Sequence, residues 1–272
     1  MHPQLQQLIT LLVLFAFGKW AAHIYPSWLL ASLIFIWSVL LEHALIFYRH
    51  KHLEYVSYSA GSTALGVLLM MATPQGWIYG MVITLALLQK HFLTAEGRHF
   101  FNPSNFALMM ALLLFYSQAH VILGQLGDAW WMRGVVLVLA GAILVRVERW
   151  VIPLAFMVGY LAAEYVWVVG YDPMVTFETV YERFYSVSLV VFVAFMLTDP
   201  RTTPVSRWQQ GLFGLLVALI ATGLDRWHGF RVQHLFMALF ILSPWVPWLQ
   251  EKQKDAQLLR WGALLSLWRL VL

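Results

Sequence analysis

Two polar clusters interrupt an otherwise apolar sequence, and their residue types suit the binding of a small polar ligand. The first cluster is the stretch 90–105, which ends in Phe-Asn-Pro-Ser-Asn. Asn102 is a favourable helix N-cap and Pro103 a favourable first helical residue, so a helix should begin here. Its free N–H groups would face a carbonyl, a phosphate or an electron-rich ring. An ordinary capped helix behind a basic loop is the simpler alternative.

The second cluster, residues 197–204, places Asp199 at the end of an apolar segment. A buried carboxylate needs hydrogen-bond or ionic partners, because an unpaired buried charge is costly. Lys90 and Arg98 are predicted on the same side of the molecule, so either could balance the charge of Asp199. The alternative is an aspartate that caps a turn at the lipid surface.

Composition restricts the class of protein that presents these clusters. The chain has 272 residues, of which 61% are apolar and 11% charged, against roughly 25% charged in soluble domains. This balance excludes an ordinary soluble enzyme and a disordered chain, and it predicts an all-α polytopic membrane protein. Cysteine is absent, which excludes disulfides, Cys-ligated iron–sulfur clusters and Cys-attached haem. A net charge of +4 is too small to suggest nucleic acid.

Apolar segments predict about ten transmembrane helices, since a helix crosses the hydrocarbon core with about 20 residues. The segments are 5–23, 28–47, 58–73, 77–93, 100–116, 134–147, 151–170, 185–198, 208–223 and 233–249. Short connections leave no room for a soluble domain, so residues 1–250 are interpreted as one transmembrane domain. The tail 251–272, whose residues 257–272 are mostly apolar and include two arginines, is predicted to form a cytoplasmic or interfacial helix.

The basic residues predict the orientation of these helices, because cytoplasmic loops are enriched in Lys and Arg. With the N-terminus in the cytoplasm, the inner loops and the tail hold most of the basic residues. They are Arg49, Lys51, Lys90, Arg98, Arg146, Arg149, Arg201, Arg207, Lys252, Lys254, Arg260 and Arg269. The outer loops hold Arg133, Arg183, Arg226 and Arg231. We therefore predict a multi-pass protein of a bacterial-type cytoplasmic (inner) membrane with both termini in the cytoplasm.

A weak internal repeat relates residues 59–74 to residues 185–200. Ser62, Val67, Met70 and Pro74 recur at the aligned positions as Ser188, Val193, Met196 and Pro200. The two segments are the third and the eighth predicted helix, so an odd number of helices per repeat would invert the second copy. This predicts two inverted five-helix repeats, about 1–117 and 130–250, with short broken helices that commonly build a central binding site.

Three motifs together resemble one family of membrane proteins. Gln-Lys-His at 89–91, followed by GRHFFNPSN at 97–105, resembles the basic loop and the F-N-P-A motif of RnfD and NqrB. These proteins are the membrane flavoprotein subunits of the Rnf complex and of the sodium-translocating NADH:quinone reductase. FMLTDPRTTP at 195–204 is similar to the family's F-M-x-T-D-P-x-T/S-x-P segment, and 59–74 is similar to its small-residue-rich helix. The resemblance covers most of 58–223.

The resemblance implies a ten-helix inverted-repeat bundle that holds a flavin, riboflavin or FMN, non-covalently near the cytoplasmic side. Its polar contacts would be Asn102, Asn105 and Asp199, which stand at the matching motif positions. The neighbouring polar residues that complete the predicted binding set are Thr198, Thr202, Lys90 and Arg98. We predict neither a catalytic residue nor a metal ligand.

The covalent flavin of the family is not expected here. The family esterifies FMN to a threonine within an S-G-A-T-like sequence on the outer face. The corresponding stretch of this chain reads Pro-Met-Val-Thr at 173–176 and lacks both the serine and the glycine. Attachment of a flavin to Thr176 is therefore not expected.

The resemblance favours an electron-transfer subunit of a membrane oxidoreductase complex, without a complete catalytic site of its own. The sequence has no nicotinamide-binding fingerprint, so electrons would come from a partner; the expected partners are lipid and other membrane or redox subunits. A channel or carrier for a small polar solute or vitamin is the alternative, and a scaffold with a vestigial pocket is a third. A b-type haem between His43 and His91 is compatible with their depth, but no predicted helix carries two suitably spaced histidines.

Overall fold

A computed structural model describes residues 3–21, 23–51, 57–95, 97–122, 130–147, 149–171, 174, 176–182 and 186–249. The helices are α1 (Pro3–Ala21), α2 (Trp28–His50), α3 (Tyr58–Met70), α4 (Gly76–Phe92), α5 (Pro103–Leu114), α6 (Trp130–Val147), α7 (Val151–Glu164), α8 (Phe177–Glu182), α9 (Val187–Val191), α10 (Arg207–His228) and α11 (Gln233–Leu242). Helix α7 continues as a π-helical segment over Tyr165–Val169, and α9 continues as another over Phe192–Met196. The predicted tail helix 251–272 lies outside the described residues.

Two pairs of very short strands tie loops together. Strand β1 (Met71–Ala72) pairs with β4 (His120–Val121), and β2 (Thr94–Ala95) pairs with β3 (Arg98–His99), both antiparallel. The β2–β3 hairpin closes at Gly97, whose φ of +75° is a conformation that glycine adopts without strain. The sequence predicted neither strand pair nor the short helix α8. The fold is nevertheless predominantly helical, which confirms the all-α prediction.

Each of the ten predicted apolar segments coincides with a helix. Among the described residues, α2 alone is both long and apolar enough to cross a membrane by itself. The shorter apolar helices are Tyr58–Met70, Pro103–Leu114, Val151–Trp167 and Gln233–Leu242. Ten membrane crossings therefore stay a prediction.

Helix α2 exposes apolar side chains and buries polar ones, which is the opposite of the arrangement in a soluble protein. Leu33, Leu40 and Trp37 are exposed on its outer face, with 55%, 62% and 46% of their surface accessible. Ser38 and Glu42, by contrast, are almost completely buried inside the bundle. An apolar outer face over a buried ionisable residue is typical of a helix that contacts lipid and directs its polar groups inward.

The loops collect alternately at the two ends of the bundle. At one end, Arg49 donates to the carbonyl of His91, and Arg149 donates to the carbonyl of Val205. The first bond joins the ends of α2 and α4, and the second joins the loops that follow α6 and α9. A hydrogen bond from Asn102, after α4, to Asp199, after α9, connects the two pairs, and we call this end the basic end. At the opposite end, Arg226 donates to the carbonyl of Trp167, and β1 pairs with β4. Alternation of this kind is expected of helices that run antiparallel to their neighbours.

Three helix pairs of the first half of the chain recur between the corresponding helices of the second half. In the first half α1 packs on α3, α2 on α4 and α4 on α5. In the second half the corresponding helices make the same pairs, with α6 on α9, α7 on α10 and α10 on α11. Across the halves, α1 contacts α6 and α5 contacts α11. This pattern is what an internal repeat produces; the inversion of the second repeat stays a prediction.

Of the described glycines, Gly214 on α10 has the least space beside it, because it lies against the backbone of α7. A Cβ atom added to Gly214 would lie 2.4 Å from the carbonyl oxygen of Ile152 and 3.2 Å from the nitrogen of Phe156. Both neighbours are backbone atoms, so a side chain could be accommodated only by moving the helices apart. Glycine at this position therefore sets the distance between α7 and α10.

Candidate functional site

The N-terminus of α5 is capped as the sequence predicted. Asn102 has extended backbone angles, and its Oδ1 accepts a hydrogen bond from the Asn105 N–H at 3.1 Å. Pro103 follows in the first turn, where its missing N–H leaves no helical hydrogen bond unmade. The prediction that a helix begins at this motif is confirmed, and the amide nitrogen of Asn102 remains available to another partner.

The turn after α9 is held by hydrogen bonds to Asp199. The Oδ1 atom of Asp199 accepts from the N–H of Arg201 at 3.0 Å, and its carbonyl accepts from the Thr203 hydroxyl at 2.7 Å. The preceding π-helical segment ends where the Leu197 N–H donates to the carbonyl of Phe192 at 2.9 Å. Such π segments are frequent at functional sites because they redirect the side chains that follow.

One hydrogen bond joins the two clusters. The Nδ2 atom of Asn102 donates to Oδ2 of Asp199 at 3.0 Å, across 97 residues of sequence. Burial raises the pKa of the Asp199 carboxyl, although the N–H and the charge of Arg201 and the Asn102 amide act in the opposite direction. The two motifs that the sequence singled out therefore meet in space.

A cavity of about 100 Å³ lies beside this hydrogen bond at the basic end; we call it the smaller cavity. Its walls come from α1, α3, the start of α5 and the end of α9, and they include Gln7, Ser62, Asn102, Phe195, Met196 and Asp199. The Ser62 hydroxyl is buried and has no hydrogen-bond partner among the described residues. An unsatisfied polar atom on a cavity wall indicates where a ligand or water would bind.

A second cavity of about 250 Å³, the larger cavity, adjoins the first. The two cavities share four lining residues, which are Gln4, Ser59, His99 and Arg201. In the larger cavity Glu42 forms an ion pair with Lys90 and a hydrogen bond with His91, whose Nε2 lies 3.1 Å from Oε2 of Glu42. Lys90 also donates to the Ser59 hydroxyl at 3.0 Å.

The structure brings some of the predicted binding residues to these cavities and places others elsewhere. Asn102 and Asp199 line the smaller cavity, and Lys90 lines the larger one. Asn105 lines neither cavity; its side-chain amide donates to the carbonyl of Phe236 at 3.2 Å. Arg98 is exposed on β3. The remaining two predicted residues, Thr198 and Thr202, are buried and donate to the carbonyls of Ala194 and Asp199.

The expected ion pair between Asp199 and Lys90 or Arg98 does not form. Lys90 pairs with Glu42 instead, and Asp199 is held by the Asn102 amide and the Arg201 N–H. The reason is geometric, because Glu42 on α2 faces Lys90 on the neighbouring helix α4. Sequence reasoning did not single out Glu42, although an ionisable residue inside an apolar segment was a usable signal.

Sequence reasoning also missed Ser62, His99 and Arg201 as lining residues. Ser62 was noticed only as part of the repeat, although a serine within a small-residue-rich helix marks a place of close packing. His99 and Arg201 stand within the two quoted motifs, but no sequence signal shows that their side chains border both cavities.

The histidines that were considered as haem ligands have other partners. His43 bonds the carbonyl of Val39 at 2.7 Å, and His91 bonds Glu42. His234, which was not one of that pair, bonds Oδ1 of Asp225 at 2.7 Å near the opposite end of the bundle.

Thr176 is exposed just before α8, away from both cavities.

The pKa of His99 gives a testable pH dependence. Burial and the charges of Lys90 and Arg201 lower this pKa from 6.5 to about 3, against the smaller opposing effect of Glu42. As the pH falls through about 6.5 the unfolded chain binds a proton at His99 and the folded chain does not, so stability is lost down to about pH 3. We expect the unfolding temperature in detergent to fall between pH 7 and pH 5, and to fall less steeply in His99→Gln. The free energy of unfolding should depend on pH by roughly 1 kcal/mol per pH unit less in the variant than in the wild type. Equal slopes in the two proteins would contradict this assignment.

The two cavities offer a donor set that fits a flavin. Each cavity alone is below the range of about 300–1,000 Å³ that small-molecule sites occupy, whereas the two neighbouring cavities would reach its lower end if a ligand spanned both. The unpartnered Ser62 hydroxyl, with Asn102 and Asp199, supplies polar groups suited to ribityl hydroxyls. Phe195 and Met196 provide an apolar wall for a ring. The residues present therefore fit the polar chain and one face of the ring.

The apolar outer face of α2 and the polar cavities at the basic end are features of a helical membrane protein. The profile of the NQR2, RnfD, RnfE family matches residues 116–257, just over half of the sequence, and the chain belongs to this family. The family is associated with membrane subunits of the Rnf and Nqr complexes, which confirms the resemblance. The match contains the Asp199 turn but begins after the Asn102 motif. A comparison with curated proteins gave no match.

Proposed function

We propose that this protein is an integral membrane electron-transfer subunit that binds a flavin non-covalently in the two joined cavities at the basic end. The hydrogen bond between Asn102 and Asp199 carries the proposal, because it assembles both family-like motifs on one cavity wall. A flavin held there would accept electrons from a partner subunit and pass them to another.

The chain's own residues would bind and enclose the cofactor. Ser62 would donate or accept one hydrogen bond that the protein itself leaves unmade. Asn102 and Asp199 fix each other's orientation and expose their remaining lone pairs to the cavity. Phe195 and Met196 would exclude water from one face of the ring. In the proposed ten-crossing topology, this cleft lies near the cytoplasmic surface.

The visible spectrum of protein purified in mild detergent tests the proposal. A flavin absorption band that bleaches with dithionite, together with riboflavin or FMN in the extract, is the expected result. Colourless protein that does not bind added flavin would contradict it.

Ser62→Ala should separate ligand binding from folding. The hydroxyl bonds no described residue, so its removal should leave the unfolding temperature unchanged or slightly higher. The affinity for flavin, measured by quenching of flavin fluorescence, should fall roughly tenfold because one hydrogen bond to the ligand is lost.

Two further variants, one expected to lose flavin and one expected to keep it, provide comparisons for Ser62→Ala. Asp199→Leu should lose most of its flavin, since it also leaves the Asn102 amide and the Arg201 N–H without their acceptor. Thr176→Ala, at an exposed position away from both cavities, should keep a full complement. Equal flavin content in Ser62→Ala, Asp199→Leu and Thr176→Ala would place the cofactor elsewhere.

A channel or carrier for a small polar solute is the second candidate function. The volume of the smaller cavity, about 100 Å³, favours it, because this space holds a small solute without any rearrangement. Colourless protein with solute-dependent thermal stabilisation would support this function over electron transfer.

A further inference from the structure

The larger cavity has a surplus of positive charge. Of its described lining residues, Arg49, Lys90 and Arg201 are cationic, and Glu42 is the one acidic residue among them. His50, His91 and His99 add imidazole nitrogens to the same walls. A concave surface with several cations and few acids attracts an anion, because the fields of its charges add. Lys90 is buried, whereas Arg49 and Arg201 are exposed at the mouth of the cavity.

Glu42 does not neutralise the whole cavity. Its carboxylate is occupied by Lys90, by His91 and by the Ser57 hydroxyl, which donates to Oε1 at 3.3 Å. The Arg201 guanidinium, in contrast, forms no ion pair within the part of the chain that the structure describes. Lys90 is paired with Glu42 and Arg49 donates to the carbonyl of His91. Among these three cations, Arg201 is the one whose guanidinium has neither kind of partner within the described residues, although its charge acts on the nearby Asp199 carboxyl.

Arg201 also stands where the two cavities meet. Arg201 and His99 line both of them, whereas Ser62, Asn102 and Asp199 line the smaller cavity. A ligand whose hydroxylated chain bonds Ser62 and Asp199 would direct the end of that chain toward Arg201 and His99. The neighbouring larger cavity is the space that a charged terminal group would enter.

We propose that the larger cavity binds a phosphoryl anion through Arg201, with His99 and Lys90 beside it, and that this anion is the terminal phosphate of FMN. Arginine suits the role because its planar guanidinium donates two parallel hydrogen bonds to phosphate oxygens. This inference rests on the proposed flavin function and makes the preferred cofactor FMN and not riboflavin. A phospholipid headgroup carries the same chemistry and is the alternative source of the anion.

Titration of the flavin-free protein with FMN and with riboflavin tests the inference. In nanodiscs of phosphatidylcholine, the wild-type protein should bind FMN roughly 10- to 100-fold more tightly than riboflavin, because of the charge-assisted bonds to Arg201. Added salt should weaken FMN binding and leave riboflavin binding unchanged. Arg201→Gln should abolish the preference for FMN while keeping the affinity for riboflavin.

The matched control is Arg207→Gln, which removes the same charge six positions further along the chain. Arg207 is exposed at the start of α10 and lines neither cavity, so this variant should retain the wild-type preference. Loss of the preference for FMN in both variants would show that the preference comes from the overall positive charge of the surface and not from Arg201. That result would overturn the inference.

Nanodiscs that contain phosphatidylglycerol identify the source of the anion. If FMN and riboflavin bind equally, but phosphatidylglycerol raises the unfolding temperature of wild type and not of Arg201→Gln, the anion is a lipid headgroup. If neither the FMN preference nor this stabilisation is found, the phosphoryl site is refuted while riboflavin binding still supports the proposed function. If no flavin binds at all, the proposed function fails, and inorganic phosphate that stabilises wild type but not Arg201→Gln would support the anion site alone.

Discussion

Lys90→Met is expected to destabilise the protein by about 3–5 kcal/mol, because it leaves the buried carboxylate of Glu42 without its cationic partner. Glu42 has 2% and Lys90 has 8% of its side chain exposed. Thermal unfolding in detergent, followed by circular dichroism, measures the loss. Lys51→Met, which removes an exposed lysine just after α2 together with its contact over the Tyr48 ring, is the control and should cost no more than about 1 kcal/mol.

The double variant Glu42→Leu/Lys90→Met distinguishes an unpaired charge from a simple loss of packing. Removing both charges replaces the ion pair with apolar groups, which is often neutral or stabilising. We therefore expect the double variant to recover most of the stability that Lys90→Met loses. A double variant less stable than Lys90→Met would show that the pair contributes chiefly through its geometry.

Gly214→Ala is expected to be the most damaging single methyl addition among the described glycines. The new Cβ would lie 2.4 Å from a backbone carbonyl oxygen of α7, and neither backbone can yield without separating the two helices. Overpacking typically lowers the free energy of unfolding by roughly 1–3 kcal/mol. Because the new Cβ meets rigid backbone, we expect a loss of about 3 kcal/mol for this variant. The measurement is again the unfolding temperature in detergent.

Gly223→Ala is the matched control on the same helix. A Cβ atom there would meet nothing within 4 Å, so only the intrinsic preference of alanine for helices applies. That preference should stabilise the protein by about 0.5–1 kcal/mol. If Gly214→Ala were as stable as Gly223→Ala, the close approach of α7 and α10 would be wrong.

Local sequence signals were sufficient to predict most of the helices. The start of α5 is one example, because Asn102 and Pro103 satisfy the requirements of a helix N-terminus within four residues. The helices predicted from apolar segments were found for a similar reason, since each prediction depends on a continuous run of apolar residues. The β1–β4 pair could not be found in this way, because it joins Met71 to Val121 and depends on how the loops meet.

The partners of the polar residues were the least predictable part of the site. The sequence indicated that Asp199 needs a partner, and the structure supplies Asn102 and a backbone N–H where an ion pair with Lys90 was expected. Lys90 and Glu42 lie 48 residues apart, and their pairing depends on the rotation of α2 relative to α4. Asn105 illustrates the same limit, since its position on the first turn of α5 was predicted but its contact with α11 was not.

The shared wall of the smaller cavity also constrains when the site can form during synthesis. Ser62 and Asn102 come from the first half of the chain, whereas Phe195 and Asp199 come from the second. Asp199 is made 97 residues after Asn102, which takes a ribosome roughly 5–20 s at common rates of translation. A ligand that contacts both walls of this cavity can therefore bind only after the chain has been made as far as Asp199, so cofactor loading would be a late step in the biogenesis of the protein.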